Sequence, residues 1–208
     1  MAAPASFATP TLESGDRLSP EEFDRIYAQC SDIRKAELID GVVYVASPVH
    51  WEGHSEPFTD LLGLLWAYRM RTPGVRAAGD GSLRLDGVRV QPDIALFWDE
   101  AHGGKVHKTE DDYLEGPPDL VAEVAGSSAS YDLHDKLRVY ERSGVREYIV
   151  WRTRDQEIDF FRLRDGAFER VAPDAEGIVE SDVFPKLRIS ITCLLASDPA
   201  GAFAALIT

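Results

Sequence analysis

Two stretches of this 208-residue chain place an acid inside a run that otherwise reads as a buried strand. In RVQPDIALFW, Asp93 follows Pro92 at the head of an apolar run; in DLVAEVA, Glu123 stands in the middle of one. Strand side chains alternate, so Val121, Glu123 and Ala125 share one face while Leu120, Ala122 and Val124 share the other. A carboxylate among such neighbours takes up a proton or binds a cation. Two of them brought together repel unless a cation lies between them.

The segment after Glu123 offers a third member. Taking about 100° per residue from Leu133, Leu137 falls at about 40°, Tyr140 at about 340° and Lys136 at about 300°, whereas His134, Asp135, Arg138, Glu141 and Arg142 lie at about 80–200°. Lys136 therefore borders the face that packs on a sheet. Two oxygen donors for a hard divalent ion, Mg²⁺ or Mn²⁺, with an ammonium beside them suit phosphodiester hydrolysis. The ion lowers the pKa of a bound water, and the lysine orients that water or stabilises charge on phosphorus. The same residues have plainer uses: Asp93 can cap a turn, Glu123 can face water on a half-exposed sheet, and Lys136 can pair with Asp132 in a solvated contact of about 0.3 kcal/mol. Spacing alone does not choose between them.

Other candidates carry less. Glu37, near a hairpin start, can serve as an additional acid or a water-mediated metal ligand; His54 opens a helix. Arg152 with Arg154, and Arg162 with Arg164, alternate along strands and can contact phosphates, although such pairs also serve to blunt an edge strand.

These residues need elements to hold them. Residues 1–17, rich in Ala, Pro, Ser and Thr, read as a disordered tail. A single domain is expected over 18–208. Ser19-Pro-Glu-Glu has the form of a helix start, giving a short helix to about Cys30. AELIDGVVYVASP reads as a hairpin about Asp40-Gly41. A core-facing helix begins near Pro57, with Phe58, Leu61, Leu62, Leu65 and Tyr68 on one face, and ends before Pro73-Gly74. Strands are expected over 75–78, 82–85 and 88–97, then a long acidic connection over 99–118. DLVAEVA is a strand, 131–143 a helix capped by Gly144, REYIVWR a strand, and 157–171 a hairpin about Asp165-Gly166. This order predicts a mixed β-sheet flanked by helices, the α/β or α+β class.

Charge and cysteine usage narrow the setting. The net charge of −14 argues against broad nonspecific affinity for nucleic acid. It is uneven: residues 99–119 hold seven acids against two lysines, while 136–170 hold nine basic residues against seven acids, leaving room for a locally positive surface. Cys30 and Cys193 have neither zinc-site spacing nor a disulfide framework and are expected as buried thiols. No segment is apolar and long enough to span a bilayer, and the start does not read as a secretory signal, so a cytoplasmic location is expected.

PDIALF followed by PPDLVAEVAGSSASYDLHDKLRVYERSGVREYIVW resembles the core of the Uma-two family of restriction-endonuclease-like proteins, a branch of the PD-(D/E)XK nuclease superfamily. The match runs through Pro92-Asp93, Glu123-Val124, Ser127-Ser128, Asp132, Lys136 and Tyr140 to Tyr148, with Glu37 to Gly41 and His54 upstream. The resemblance implies a restriction-endonuclease-like fold, Asp93 and Glu123 as Mg²⁺ ligands, Lys136 as the catalytic lysine and DNA as the partner. The superfamily's usual lysine stands two residues after the acid; Ala125 is there, so that role passes to Lys136. Gly126 stands where the family often has Pro. Besides a metal-dependent endonuclease, two other readings stay open: a nuclease fold that binds or regulates without cutting, whether or not as a homodimer, and a small-molecule metal hydrolase.

Overall fold

The fold was obtained as a computed structural model, which describes residues 11–48 and 50–207. Helix α1 (Pro20–Tyr27) starts with a capping box, in which Ser19 Oγ accepts the Glu22 N–H and the Ser19 N–H donates to Glu22. Strands β1 (Ala36–Ile39) and β2 (Val42–Val45) form the expected hairpin, with Asp40 and Gly41 both at positive φ. A π turn (Trp51–Ser55) leads into α2 (Glu56–Arg71). Next come β3 (Val75–Gly79), β4 (Leu83–Leu85), β5 (Val88–Val90), β6 (Ile94–Trp98), the two-residue strands β7 (His107–Lys108) and β8 (Leu114–Glu115), and β9 (Leu120–Ala125). Helix α3 (Ala129–Tyr131) runs through a π turn (Asp132–Lys136) into α4 (Leu137–Ser143), which ends on Gly144 at φ 83°. The chain closes with β10 (Glu147–Arg152), β11 (Glu157–Arg164), β12 (Ala167–Val171), β13 (Ile178–Glu180), β14 (Arg188–Ser190), α5 (Ile191–Leu195) and α6 (Pro199–Ile207).

The fold is of the expected class, mixed sheet flanked by helices, with the strands divided between two six-stranded mixed sheets and a two-stranded ribbon. The first sheet has the order β2-β1-β5-β4-β8-β7, the second β12-β11-β10-β9-β6-β3, and β13 pairs with β14. In the second sheet β9 and β10 are parallel, joined across the helical segment 129–143, while β6 runs antiparallel to β9. Both faces of β9 are covered, and its alternation is the expected one. Leu120, Ala122 and Val124 pack with α2, α5 and α6, whereas Val121 and Ala125 pack with Val139, Tyr140 and the first sheet's Leu83 and Val90. Glu123 therefore lies between the sheets.

The continuous strand expected over 88–97 is broken in two, and the break joins the sheets. Its cause is a diversion of donors: the Gln91 N–H goes to Glu37 Oε1 (2.7 Å), Pro92 has none, and the Asp93 N–H points at Glu123 Oε2 (3.4 Å). Three consecutive residues thus withhold their N–H groups from a ladder, and Asp93 sits at the crossing, just before β6.

Other expectations are corrected in the same way. The acidic connection over 99–118 carries its own strand pair, β7 with β8, and β8 joins β4. Of the tail expected as disordered over 1–17, residues 1–10 lie outside the described residues. Leu12, by contrast, is buried beneath α1, and Arg17 bridges Val42, because the outer edge of β2 offers backbone partners. Strand β10 ends at Arg152, so Arg154 lies exposed in a turn and does not share a strand face with it. Cys30 is buried and Cys193 half-buried. Among the described residues no helix is long and apolar enough to cross a membrane.

Candidate active site

The antiparallel register of β6 on β9 pairs Ile94 with Ala122. One step further along it, Asp93 comes beside Glu123. Both residues are sealed from water, at 3% and 2% exposure. Asp93 Oδ2 accepts the Val124 N–H at 2.8 Å, which fixes its rotamer on the edge of β9.

Lys136 arrives from the π turn. On the same wheel the buried residues of this segment, Asp132, Lys136, Val139 and Tyr140, fall at about 240–340°, so the packing arc is centred near Lys136 and not on Leu133 and Leu137. Lys136 therefore lies within the packing face, buried, and so does Asp132. Its ammonium lies 2.9 Å from Glu123 Oε1, 3.1 Å from Glu37 Oε2 and 3.7 Å from Asp132 Oδ1. The pairing with Asp132 thus exists, but as one arm of a buried cluster instead of a solvated contact. Ser128 Oγ donates to Asp132 at 2.6 Å, and the Tyr148 hydroxyl donates to the Asp132 carbonyl at 3.0 Å.

Glu37 joins the cluster from the first sheet, where its strand β1 meets β5. It bonds to Lys136, the Gln91 N–H and the Tyr131 hydroxyl, and so acts as the second counter-charge of the lysine. His54 comes from the π turn before α2: Nδ1 lies 2.8 Å from the Val124 carbonyl and 3.9 Å from Asp93 Oδ2, and the ring stacks on Phe58. With Nδ1 on a carbonyl, that nitrogen carries a hydrogen, and Nε2 is left for other partners.

The electrostatics follow from burial and these neighbours. Burial pushes Glu123 up to about 8; Lys136 opposes the shift, and Asp93 and Asp132 add to it. Burial alone would lower Lys136, but Glu123 and Glu37 hold it well above the ordinary lysine range, so it is an ammonium. Burial also acts to raise Asp93, yet the charges of Lys35, His54 and Lys136 outweigh it and hold that carboxyl below its usual range. Asp132 is raised by burial.

Two participants escaped sequence reasoning. Lys35, just before β1, places its ammonium 2.8 Å from Asp93 Oδ1 and 3.4 Å from Asp80 Oδ1. A lone lysine at a strand entrance carries no local signal of this. The Tyr140 hydroxyl donates to Glu123 Oε1 at 2.8 Å, and its place on the packing face of the wheel was the available hint.

The arginines do not join the site. Arg152 is held by Asp159 (2.7 Å), Asp155 (2.5 Å) and Glu157, across the β10–β11 turn. Arg162 and Arg164 pair with Asp182, and Arg170 with Asp159. Carboxylates thus engage Arg152, Arg162, Arg164 and Arg170, whereas Arg154 stands exposed in its turn.

The family model of Uma2, described as "Putative restriction endonuclease", matches residues 20–192. The chain belongs to the Uma2 family. All the residues of the cluster, from Lys35 to Tyr148, fall within the matched span. Among solved structures the Uma2 chain is similar to one described as a putative nuclease belonging to DUF820 from Anabaena variabilis ATCC 29413, with 14% identity and a TM-score of 0.66 over 91% of this chain and 99% of that one. At that identity the likeness carries the fold, an α+β arrangement of mixed sheets flanked by helices. No curated protein matches the chain.

Proposed function

We propose that this chain is an endonuclease that hydrolyses DNA phosphodiester bonds with Mg²⁺ or Mn²⁺. In this reading Asp93 and Glu123 hold the ion, and Lys136 stands beside the attacking water. The observation that carries the reading is the juxtaposition of Asp93 and Glu123 with the Lys136 ammonium on Glu123 Oε1. Membership of the Uma2 family supports it.

The donor set fits such an ion. Both groups are hard oxygen donors, and Glu123 Oε2 has only the long Asp93 N–H contact, whereas Oε1 is committed to Lys136 and Tyr140. Among the described residues no three His, Cys, Asp or Glu side chains are grouped to hold a metal. Mg²⁺ does not require three such side chains, since it is often bound by one or two carboxylates and keeps several waters. When bound, the ion supplies Lewis acidity and a water of lowered pKa.

This chain's own groups do the rest. Lys136 keeps its proton, so it orients the attacking water or stabilises charge on phosphorus by donating N–H; it does not take the water's proton. Glu37 and Asp132 hold the ammonium in place. Tyr140 fixes the Glu123 carboxyl, and Val124 fixes that of Asp93. His54, with a free Nε2 at the rim, is positioned to contact the substrate. Arg152 and Arg154 are left out of this role for the reasons of pairing and placement given above.

The test is cleavage of a supercoiled plasmid in Mg²⁺ or Mn²⁺ by the wild type, Asp93→Asn and Glu123→Gln. Nicked or linear product from the wild type alone is expected. An uncut plasmid in both ions would overturn the hydrolytic reading, and retained Mn²⁺ binding would then favour the role of a fold that binds without cutting.

A further inference from the structure

The two lysines of the cluster differ in a way their shared charge hides. Lys136 is sealed, with a side chain 4% exposed, and is held from three sides by carboxylates. Lys35 reaches Asp93 from the solvent edge: its side chain is 21% exposed, and its second partner, Asp80, is 51% exposed. Lys136 is fixed; Lys35 has somewhere to go.

Asp93 divides its oxygens between two donors, Oδ2 to the Val124 N–H and Oδ1 to Lys35. Oδ1 is therefore the oxygen that a divalent ion would have to share with an ammonium already in contact. Two cations on one carboxylate oxygen repel strongly where water is scarce. The backbone does not have to move to resolve this, because Lys35 hangs on a flexible stem and the Asp80 carboxylate lies within reach. Its ammonium is then left at the solvent edge of the cluster, beside the half-exposed Asp80.

We infer that Lys35 is a second, exchangeable lysine of the site, which holds Asp93 until a divalent ion takes that carboxylate and then binds a substrate phosphate. The inference rests on the proposed role of Asp93 as an ion ligand. It makes Lys35 a substrate-contacting residue on the open side of the cluster, opposite in character to Lys136.

The test compares Mn²⁺ binding by calorimetry in the wild type, Lys35→Gln, Lys35→Arg and Asp93→Asn, with folding of each checked by thermal melting. Removing the competing charge in Lys35→Gln should tighten Mn²⁺ binding about tenfold or more, while Lys35→Arg, which keeps the charge, should stay near the wild type. Binding of a short duplex in Ca²⁺, which avoids cleavage, should weaken in Lys35→Gln and lose about one unit of its slope against log salt. Unchanged Mn²⁺ affinity, or an unchanged salt slope, in Lys35→Gln overturns the inference while leaving the ion site standing. Absence of Mn²⁺ binding in both the wild type and Lys35→Gln overturns the ion site itself, and undiminished binding in Asp93→Asn removes Asp93 from it.

Discussion

Lys136 and Glu123 meet across a sheet and a helix, Nζ to Oε1 at 2.9 Å, with neither side chain more than 4% exposed. A buried pair of this kind is weak evidence of net stability, because each ion gave up its hydration. What it does guarantee is that neither partner can be removed alone.

At pH 9, where Glu123 is ionised in the fold, Lys136→Met should therefore destabilise the protein by about 3–5 kcal/mol, since it leaves Glu37 and Glu123 facing each other without a cation. Adding Glu37→Gln to that variant should recover part of the loss by removing one of the two stranded charges. Urea denaturation of the single and double variants measures both. A double variant no more stable than the single one would mean that Glu37 is not the lysine's counter-charge.

The cluster also fixes how stability depends on pH. Glu123 titrates at about 8 in the fold and near 4.5 when unfolded, so between those values the native state holds the extra proton. Stability then falls as pH rises through that window, by about 1.4 kcal/mol for each unit over which one such group stays mismatched. Asp132 and Glu147, both raised by burial, act in the same direction, while Asp93, which is lowered, opposes them at the acid end. The melting temperature of the metal-free protein should decline from about pH 5 to about pH 8, and Glu123→Gln should flatten that decline. Melting curves across the range decide it.

The parts of this site visible in the sequence were those that obey a regular period. The alternation of β9 placed Glu123 among Val121 and Ala125, and the Asp40-Gly41 turn fixed the hairpin that carries Glu37. The period fails where the site diverts the backbone. Residues 88–97 read as one strand because nothing local shows that the N–H groups of Gln91 and Asp93 turn to carboxylates from 54 and 30 residues away. The burial of Lys136 was hidden because Leu133 and Leu137, the apolar residues of the segment, marked the core face, whereas the face that is buried carries Asp132, Lys136, Val139 and Tyr140. Lys35 was illegible for another reason: its partners, Asp80 and Asp93, are remote in sequence, and a single lysine has no pattern.

Tyr140→Phe isolates the support given to Glu123. The lost hydroxyl donates to Oε1 at 2.8 Å, and its removal disfavours the charged carboxylate more than the neutral acid. The pH at which Mn²⁺ binding is half-developed should move upward, and the stability cost at pH 9 should be about 1.5–3 kcal/mol, as for a hydrogen bond to a charged group. Calorimetry from pH 6 to 9 reads the first and denaturation the second. An unshifted binding profile would separate Glu123 from ion binding.

The turn that carries His54 can be displaced without touching any charge. A β-carbon on Gly126 would stand 2.9 Å from the Gly53 carbonyl oxygen, a backbone atom that also accepts the Thr153 hydroxyl at 2.9 Å. Gly126→Ala must therefore push the Trp51–Ser55 turn off the end of β9, loosening the bond between His54 and the Val124 carbonyl. Because misplacement of positioning groups by about 1 Å can cost on the order of a hundredfold, cleavage should fall by about tenfold to a hundredfold. Stability should fall by no more than about 1–2 kcal/mol, since no core side chain is lost. Gly63→Ala, on the open face of α2 with nothing within 4 Å of the added carbon, is the matched control: it should stabilise by up to about 1 kcal/mol and leave cleavage unchanged. Equal activity in both variants would show that the turn does not position His54 for the reaction.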